Sequence, residues 1–429
     1  MYYYSTQNRG LSVNFQEAVF KSLPDDNGLY FPSEIPKLPR DVLSHLAQLS
    51  IEEIGLHMMR PFVAGEIPDV QLQSIVSESV NFELPIKAIS DRVSVLELFH
   101  GPTWAFKDVG ARFLARCMGY FTSKKDLRTH ILVATSGDTG GAVAAGFYKV
   151  PGVRVTILFP KGKVSVVQQL QLTTWGGNIS AIEIDGSFDD CQTLVKQAFL
   201  DHDLRKNQHL SSANSINVAR FLPQSIYYAR ICQEFTEQSL VVAVPSGNYG
   251  NLTAGLFAKR MGLPIKRFIA ATNDNRIVPD YLETGSYVAQ PSISTHANAM
   301  DVGDPSNFKR MLELFDDDLS AMQEVISGYS LTNDEILSAL TDCYQSSGYT
   351  ADPHGVIGYS ALQKGLKEDE QGVFLETAHP VKFANVMAQV NLQNVEFKEL
   401  SKTLEGKVMS FESLANDFNL LKDYLHSVK

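Results

Sequence analysis

The sequence predicts an α/β protein with two parallel-sheet lobes, each covered by helices, and a small N-terminal helical lobe. Three observations carry this reading. From about residue 93, apolar runs without strict alternation recur with helical stretches between them, the pattern of parallel strands buried on both faces. The first ninety residues instead show short amphipathic helical segments broken by turns. A chain of 429 residues also exceeds one ordinary core, so two or three lobes are expected.

In the first lobe, residues 15–20, 41–49, 51–60 and 70–79 read as amphipathic helices. The turns Pro24-Asp-Asp-Asn-Gly28, Pro36-Lys-Leu-Pro39 and Gly65-Glu-Ile-Pro68 separate them. His130–Thr135 is a short buried strand, followed by a turn and a helix over 141–149. Val153–Phe159 is a second strand before a helix over 165–175, and Ile179–Asp185 a third before a helix from Phe188 to about 202. Leu240–Val244, Phe268–Thr272 and Gly372–Thr377 complete the expected strands, the last of these closing the sheet region. The expected division is therefore a lobe over 1–92, an α/β core over 93–380 and a C-terminal segment, 381–429, packing on that core. In such sheets ligand sites lie beyond the carboxyl ends of the strands, and every motif of interest falls there.

Composition narrows the function classes. Hydrophobic residues at 44% and charged residues at 20% describe a globular chain, and a net charge of −11 disfavours nucleic acid or an anionic membrane as partner. An anionic small-molecule substrate would need a local basic cluster. The four cysteines (Cys117, Cys191, Cys232 and Cys343) are far apart and lack metal-ligand spacing, so reduced thiols and no metal are expected. The N-terminus has no signal-peptide pattern and no apolar run reaches spanning length, which points to a cytoplasmic protein, monomeric or a small homo-oligomer. The acidic run Asp316-Asp-Asp318 reads as a solvated loop.

Phe99-His-Gly-Pro-Thr-Trp-Ala-Phe-Lys-Asp108 places one lysine among apolar and aromatic residues. An amine is a nucleophile only when neutral, and desolvation lowers its pKa; such a lysine commonly forms a Schiff base with pyridoxal phosphate or a carbonyl substrate. The alternative is a snorkelling lysine at a helix start, paired with Asp108 or a later acid. The decapeptide alone favours that alternative, and two phosphate-cradle candidates reverse the balance.

The first cradle is Pro245-Ser-Gly-Asn-Tyr-Gly-Asn-Leu-Thr-Ala-Gly255, between a strand and a helix. Its glycines allow backbone N–H groups to face inward, and the helix N-terminus adds partial positive charge. It lacks the Gly-Lys-Ser/Thr ending of a nucleotide triphosphate loop, so a small phosphoester fits better; a tight strand-to-helix turn is the other account. The second is Ala134-Thr-Ser-Gly-Asp-Thr-Gly-Gly141, where Ser136, Thr139 and the amides around Gly137 are placed to hold a carboxylate. Here the other account is a helix cap by Asp138 or Thr139.

Taken in order along the chain, these motifs resemble the threonine synthase family, pyridoxal-phosphate enzymes with the tryptophan-synthase β-like fold (fold type II). Leu29-Tyr-Phe-Pro32, Glu97–Asp108, Ala134–Gly140, Ser212-Ala-Asn-Ser-Ile-Asn217, Pro245-Ser-Gly-Asn-Tyr-Gly250 and Thr377-Ala-His-Pro380 carry the resemblance nearly end to end. Tyr249 stands where a phenylalanine is expected, a harmless change if the ring only packs.

The resemblance implies two parallel-sheet lobes around a cofactor cleft, with pyridoxal 5′-phosphate on Lys107. It implies that Gly247, Asn248, Tyr249 and Gly250 hold the cofactor phosphate and that the Thr377 hydroxyl meets the pyridine nitrogen, although Thr377 also suits a helix cap before Pro380. Ser136, Gly137, Asp138 and Thr139 match the loop over the substrate carboxylate and the cofactor's 3′-oxygen. A carboxylate there would be repelled by a phenolate-like oxygen unless protonated or turned away, which leaves the role of Asp138 open. Asn214, Ser215 and Arg220, read as on or just before a helix, match the residues on a leaving phosphate. Lys161 and Lys163 are further candidates, against a solvated loop. The implied reaction is O-phospho-L-homoserine and water to L-threonine and phosphate. Sister activities, such as serine or threonine dehydratase and cysteine synthase, would share Lys107 and the cofactor loop without needing a second phosphate site. A non-catalytic or phosphatase-like homologue acting as a binding protein would be expected to lack the lysine.

Overall fold

Two parallel sheets organise the computed structural model, which describes residues 1–63, 65–125, 128–236, 239–392, 402, 404 and 406–428. The larger has six strands in the order Ile326–Ser330, Ile265–Thr272, Leu240–Pro245, Gln371–Glu376, Val93–Glu97 and Ile86–Ala88. All of its pairings are parallel except the edge strand Ile86–Ala88, which runs antiparallel to Val93–Glu97. The smaller sheet, parallel throughout, orders Glu412–Ala415, Ile179–Asp185, Val153–Pro160, Thr129–Ala134 and Leu210–Ser211. Central strands such as Leu240–Pro245 and Thr129–Ala134 are buried at every residue, which is why their sequences show no alternation.

Each sheet is larger than its sequence signals. Gly372–Thr377 was expected to end the sheet region, but Glu412–Ala415 follows it and pairs with Ile179–Asp185. This edge strand is mostly exposed and only four residues long, too short and polar to announce itself. The N-terminal lobe carries the expected helices, observed as Phe15–Lys21, Arg40–Ser44, Ile51–Val63 and Asp69–Ser79. It also holds an unexpected antiparallel sheet of Asn8–Val13, Tyr3–Ser5 and Tyr30–Pro32. Among the described residues no helix is long and apolar enough to cross a membrane.

Two packing contacts place the site. The helices Lys107–Lys125 and Asp138–Phe147 pack closely, a Cβ at Gly146 lying 3.1 Å from the Ala111 carbonyl group, and their first residues meet where Lys107 Nζ lies 3.9 Å from Asp138 Oδ2. The N-terminal lobe is riveted to the core by aromatic rings. Phe257 meets Phe31 at 5.3 Å, Phe221 at 5.3 Å and Phe62 at 6.4 Å between centroids. Such pairs add about 0.5–1.5 kcal/mol each beyond their buried area. Phe221 belongs to a short helix, Val218–Phe221, that also carries Arg220, so the lobe braces the site.

Candidate active site

Five strands from both sheets end at one cavity. Lys107 follows Val93–Glu97, Ser136 and Asp138 follow Thr129–Ala134, Asn214 follows Leu210–Ser211, Gly247 follows Leu240–Pro245, and Thr377 follows Gln371–Glu376. Carboxyl ends of parallel strands face the same way, so residues 270 positions apart line a single cleft.

Lys107 opens its helix with its side chain mostly buried, the amine 5.7 Å from the Phe106 ring centre. Burial pushes its pKa down to about 8; Asp138 pulls upward, and Lys382 and Arg220 push further down. The Lys107 Nζ lies 3.9 Å from Asp138 Oδ2. The snorkelling account therefore fails, because the amine stays inside. Asp108 does not pair with it either: its carboxylate accepts from the Thr103 amide at 2.9 Å and the Thr103 hydroxyl at 2.6 Å.

Asp138 is neither protonated nor isolated. Its Oδ1 is 2.7 Å from Lys382 Nζ and accepts from Gln168 Nε2 at 3.0 Å. Burial opposes ionisation, but Lys382 and Lys107 outweigh it and hold the carboxyl well below the usual range. The second cradle also differs from its sequence reading. The helix starts at Asp138, with Gly137 at the N-cap and no side-chain cap from that residue. Thr135 does the capping, its Oγ1 accepting from the amides of Gly137 at 2.9 Å and Gly140 at 2.8 Å. Neither Asp138 nor Thr139 is the cap.

Gly137 itself does not line the cavity, unlike Ser136, Asp138 and Thr139. Its φ is +134°, and a Cβ there would sit 2.4 Å from the Gln168 side-chain amide carbon. Its part is conformational, seating Gln168 beside Asp138.

In the first cradle the left-handed residue is Tyr249, at φ +57°, and not a glycine. It is the N-cap of the helix Gly250–Arg260, whose first-turn amides carry the partial positive charge an anion needs. Its hydroxyl is buried and finds no hydrogen-bond partner among the described residues. A buried unsatisfied hydroxyl costs about 1–3 kcal/mol, so Tyr249→Phe is expected to melt at the same temperature as the parent or higher. A clear drop in melting temperature would show that the hydroxyl has a partner.

Gly247 abuts the segment 299–300: a Cβ would lie 2.7 Å from Met300 Cα and 3.1 Å from the Ala299 carbonyl oxygen. Gly247→Val therefore forces backbone to move, and the expected result is loss of cofactor retention on gel filtration with the fold otherwise kept. Full retention would mean that the loop tolerates the shift. The reason differs from the phosphate approach suggested by sequence, since the obstructing atoms are protein backbone.

Asn214 and Ser215 precede a helix that covers only Val218–Phe221, so the helical spacing expected from 214 to 220 is not present. Asn217 instead caps that short helix, accepting from the Ala219 amide at 3.1 Å. Ser215 Oγ accepts from Asn248 Nδ2 at 2.9 Å and Asn307 Nδ2 at 3.0 Å. Both amide orientations are set by second bonds: Ser306 N–H donates to Asn248 Oδ1, and Arg310 Nη1 to Asn307 Oδ1, each at 2.6 Å. With both lone pairs taken, the Ser215 hydroxyl has only its proton to give. The Asn248 side chain is thereby spent on tying the two loops together.

Arg220 is buried, and its Nε has no partner among the described residues. Its Nη1 donates to the Lys107 carbonyl at 3.2 Å, and no described carboxylate lies within ion-pair distance. Burial pushes its pKa down to about 10, with Tyr227 and Asp108 pulling the other way. Gly110 lets it sit there, since a Cβ at 110 would be 2.4 Å from the Arg220 carbonyl oxygen. The Asn214 side-chain oxygen is likewise buried and unpartnered. The Arg220 Nε–H and the Ser215 hydroxyl are thus donors turned to the cavity, whereas the Asn214 oxygen is an acceptor.

The cavity thus gathers the candidates read from the sequence except Gly137, Lys161 and Lys163. Lys161 and Lys163 are exposed and stand away from it, as a solvated loop would. Thr377 lines it, its carbonyl accepting from the Phe106 amide at 2.9 Å; the cap of the following 3-10 turn is His379, through an Nδ1 that accepts from Val381 N–H at 3.1 Å. Several functional neighbours escaped notice. Arg310 is fully buried and holds the carbonyls of Tyr30, Ser215 and Ile216, fixing the 214–217 loop. Nothing local marks it. Lys382 had a signal: it stands between two apolar residues in the 3-10 turn Pro380-Val-Lys-Phe383.

Known proteins carry the same pattern. Residues 85–377 match the pyridoxal-phosphate dependent enzyme family, and residues 2–80 match the N-terminal region of threonine synthases. Threonine synthase of Serratia marcescens is 41% identical over 427 residues, covering 98% of each chain. The crystal structure of threonine synthase from Escherichia coli superposes with a TM-score of 0.93 at 39% identity, over 100% of both chains. Pyridoxal-phosphate-bound threonine synthase from Brucella melitensis superposes with a TM-score of 0.94 at 35% identity, over 100% of this chain and 99% of the other.

Proposed function

The chain belongs to the threonine synthases, lyases that depend on pyridoxal phosphate, and we propose that its substrate is O-phospho-L-homoserine, converted with water to L-threonine and phosphate. The observation that carries the substrate is Arg220. A guanidinium buried without a carboxylate partner is costly, and a phosphate dianion would repay that cost through charge-assisted hydrogen bonds. Beside it stand the Ser215 hydroxyl, left only as a donor, and Asn214. A dehydratase or cysteine synthase would have no use for this second anion site.

The residues also fit the cofactor. Lys107 is an amine held near neutrality, and the start of the helix Gly250–Arg260 offers amides for a phosphate. Gly247, Tyr249 and Gly250 shape that cradle, with Asn248 contributing backbone because its side chain is engaged. Thr377 lines the same cavity, and its neutral hydroxyl would meet the pyridine nitrogen and leave that nitrogen largely unprotonated. When bound, pyridoxal phosphate supplies an electron sink for the bonds at the substrate's α-carbon.

Lys107 would hold the cofactor, and its amine, when free, would take the Cα proton and relay protons along the carbon chain. Its tether at a helix start keeps it beside the reacting carbons. The amides of Gly137 and Gly140 are taken by Thr135, so the substrate carboxylate meets those of Asp138 and Thr139 together with the Ser136 hydroxyl. Asn214, Ser215 and Arg220 hold the phosphate on Cγ and stabilise its charge as it leaves.

The test is one assay on the purified holoenzyme with O-phospho-L-homoserine, measuring threonine and phosphate together. Equal amounts of both are expected. Preferential turnover of unphosphorylated serine or threonine would replace this reading with a dehydratase. On this reading residues 1–92 serve as a brace, although Ile86–Ala88 joins the larger sheet at its edge, 93–380 as the catalytic core, and 381–429 as a segment on it whose strand Glu412–Ala415 adds to the smaller sheet. Four buried, unpaired thiols suit a cytoplasmic setting.

A further inference from the structure

We propose that Lys382 is a positioning residue that eases loss of the proton from the Lys107 amine, by taking up the charge of Asp138 that would otherwise pair with Lys107. The proposal rests on the reading of Lys107 as the cofactor-bearing amine. Asp138 stands between two cations. Lys382 reaches Oδ1 at 2.7 Å and is completely buried, whereas Lys107 faces Oδ2 at 3.9 Å, beyond hydrogen-bond distance. The nearer cation, with a direct bond, satisfies most of the charge. Gln168 and the N-terminus of the helix Asp138–Phe147 stabilise the same anion.

Lys382 is itself well held. Its Nζ also donates to the Thr103 carbonyl at 2.9 Å, and Thr103 is bonded to Asp108, one residue from Lys107. The other charged groups around the amine are Arg220, which also disfavours its protonation, and Asp108, which faces Lys382 and Arg112. Without Lys382, Asp138 would remain an anion in a buried site and Lys107 would be its nearest cation. A protonated Lys107 is not a nucleophile. The arrangement also disposes of the clash expected between a carboxylate and an anionic cofactor oxygen, because the Asp138 charge is already compensated.

The experiment uses cofactor-free protein, so that its readout is the amine itself. The pH midpoint of Lys107 labelling by an amine-selective reagent is followed by peptide mass spectrometry, with folding checked by circular dichroism. Lys382→Met is expected to raise the midpoint by about one pH unit, so that labelling near neutrality falls about tenfold. Lys382→Arg should stay close to the parent, and Lys382→Met combined with Asp138→Asn should return towards it, because both charges are gone. In the holoenzyme the pH profile of turnover should move the same way. A folded Lys382→Met protein with an unshifted midpoint overturns the proposal. Should that variant not fold, Lys382→Gln takes its place: a midpoint raised by about one unit supports the proposal, and an unmoved one overturns it. Failure of the underlying assignment would look different, since Lys107→Ala would then keep its covalently bound cofactor.

Discussion

Lys107→Ala is expected to carry no covalently attached pyridoxal phosphate and to lose turnover by at least about a thousandfold. Two contributions vanish together, the covalent link and a positioned proton carrier, and the second alone is worth roughly 10²–10⁴-fold. The pH dependence follows from burial. With a pKa of about 8, about a tenth of the Lys107 amines are neutral at pH 7, against roughly three in ten thousand for an ordinary lysine. The sign is that of a cationic acid, so the nucleophilic form accumulates as pH rises. Recombination of cofactor-free protein with pyridoxal phosphate should therefore accelerate with a midpoint near pH 8 and level off about one unit above it. Borohydride reduction followed by peptide mapping identifies the attached lysine. A reducible link surviving in Lys107→Ala would move the attachment elsewhere.

Arg220→Ala is expected to keep its fold and its cofactor absorbance while losing most turnover of O-phospho-L-homoserine. Removing one partner of a desolvated charge pair costs about 2–5 kcal/mol, or roughly thirty- to several-thousand-fold in affinity or rate. The fold should tolerate the change, because the guanidinium has one bond to the Lys107 carbonyl and an unpartnered Nε. Lysine at 220 should rescue only in part, having charge without a planar fork. A secondary effect has a definite direction: with the Arg220 charge gone, Lys107 should hold its proton slightly more tightly. Steady-state kinetics with phosphorylated and unphosphorylated substrates checks both points. Near-normal kinetics on O-phospho-L-homoserine would remove Arg220 from the phosphate site.

The motifs around Lys107, Gly247 and Thr377 were legible because each follows a largely buried strand and breaks its apolar run with glycine, serine, threonine or proline. The edge strands Ile86–Ala88 and Glu412–Ala415 were not, being short and mostly exposed, and so carrying no hydrophobic pattern. The short helix at Val218–Phe221 misled for a related reason. Residues 214–217 were read as leading into a helix, but the carbonyls of Ser215 and Ile216 are claimed by Arg310, almost a hundred positions away. A tertiary hydrogen bond outweighed a weak local propensity.

What the sequence by itself determined is the alternation of buried strands and covering helices, the strand ends where ligands bind, and the residue types able to hold an amine-linked cofactor and an anion. Those properties are local: burial shows as an apolar run, a cap as a side chain at a fixed offset. Charge balance was decided only by the tertiary structure. Whether Asp138 is ionised depends on Lys382, 244 positions later, and whether Ser215 can donate depends on Asn248 and Asn307 filling its lone pairs. Protonation and hydrogen-bond direction are set by every group within a few ångströms in space, and a linear sequence does not say which groups those are.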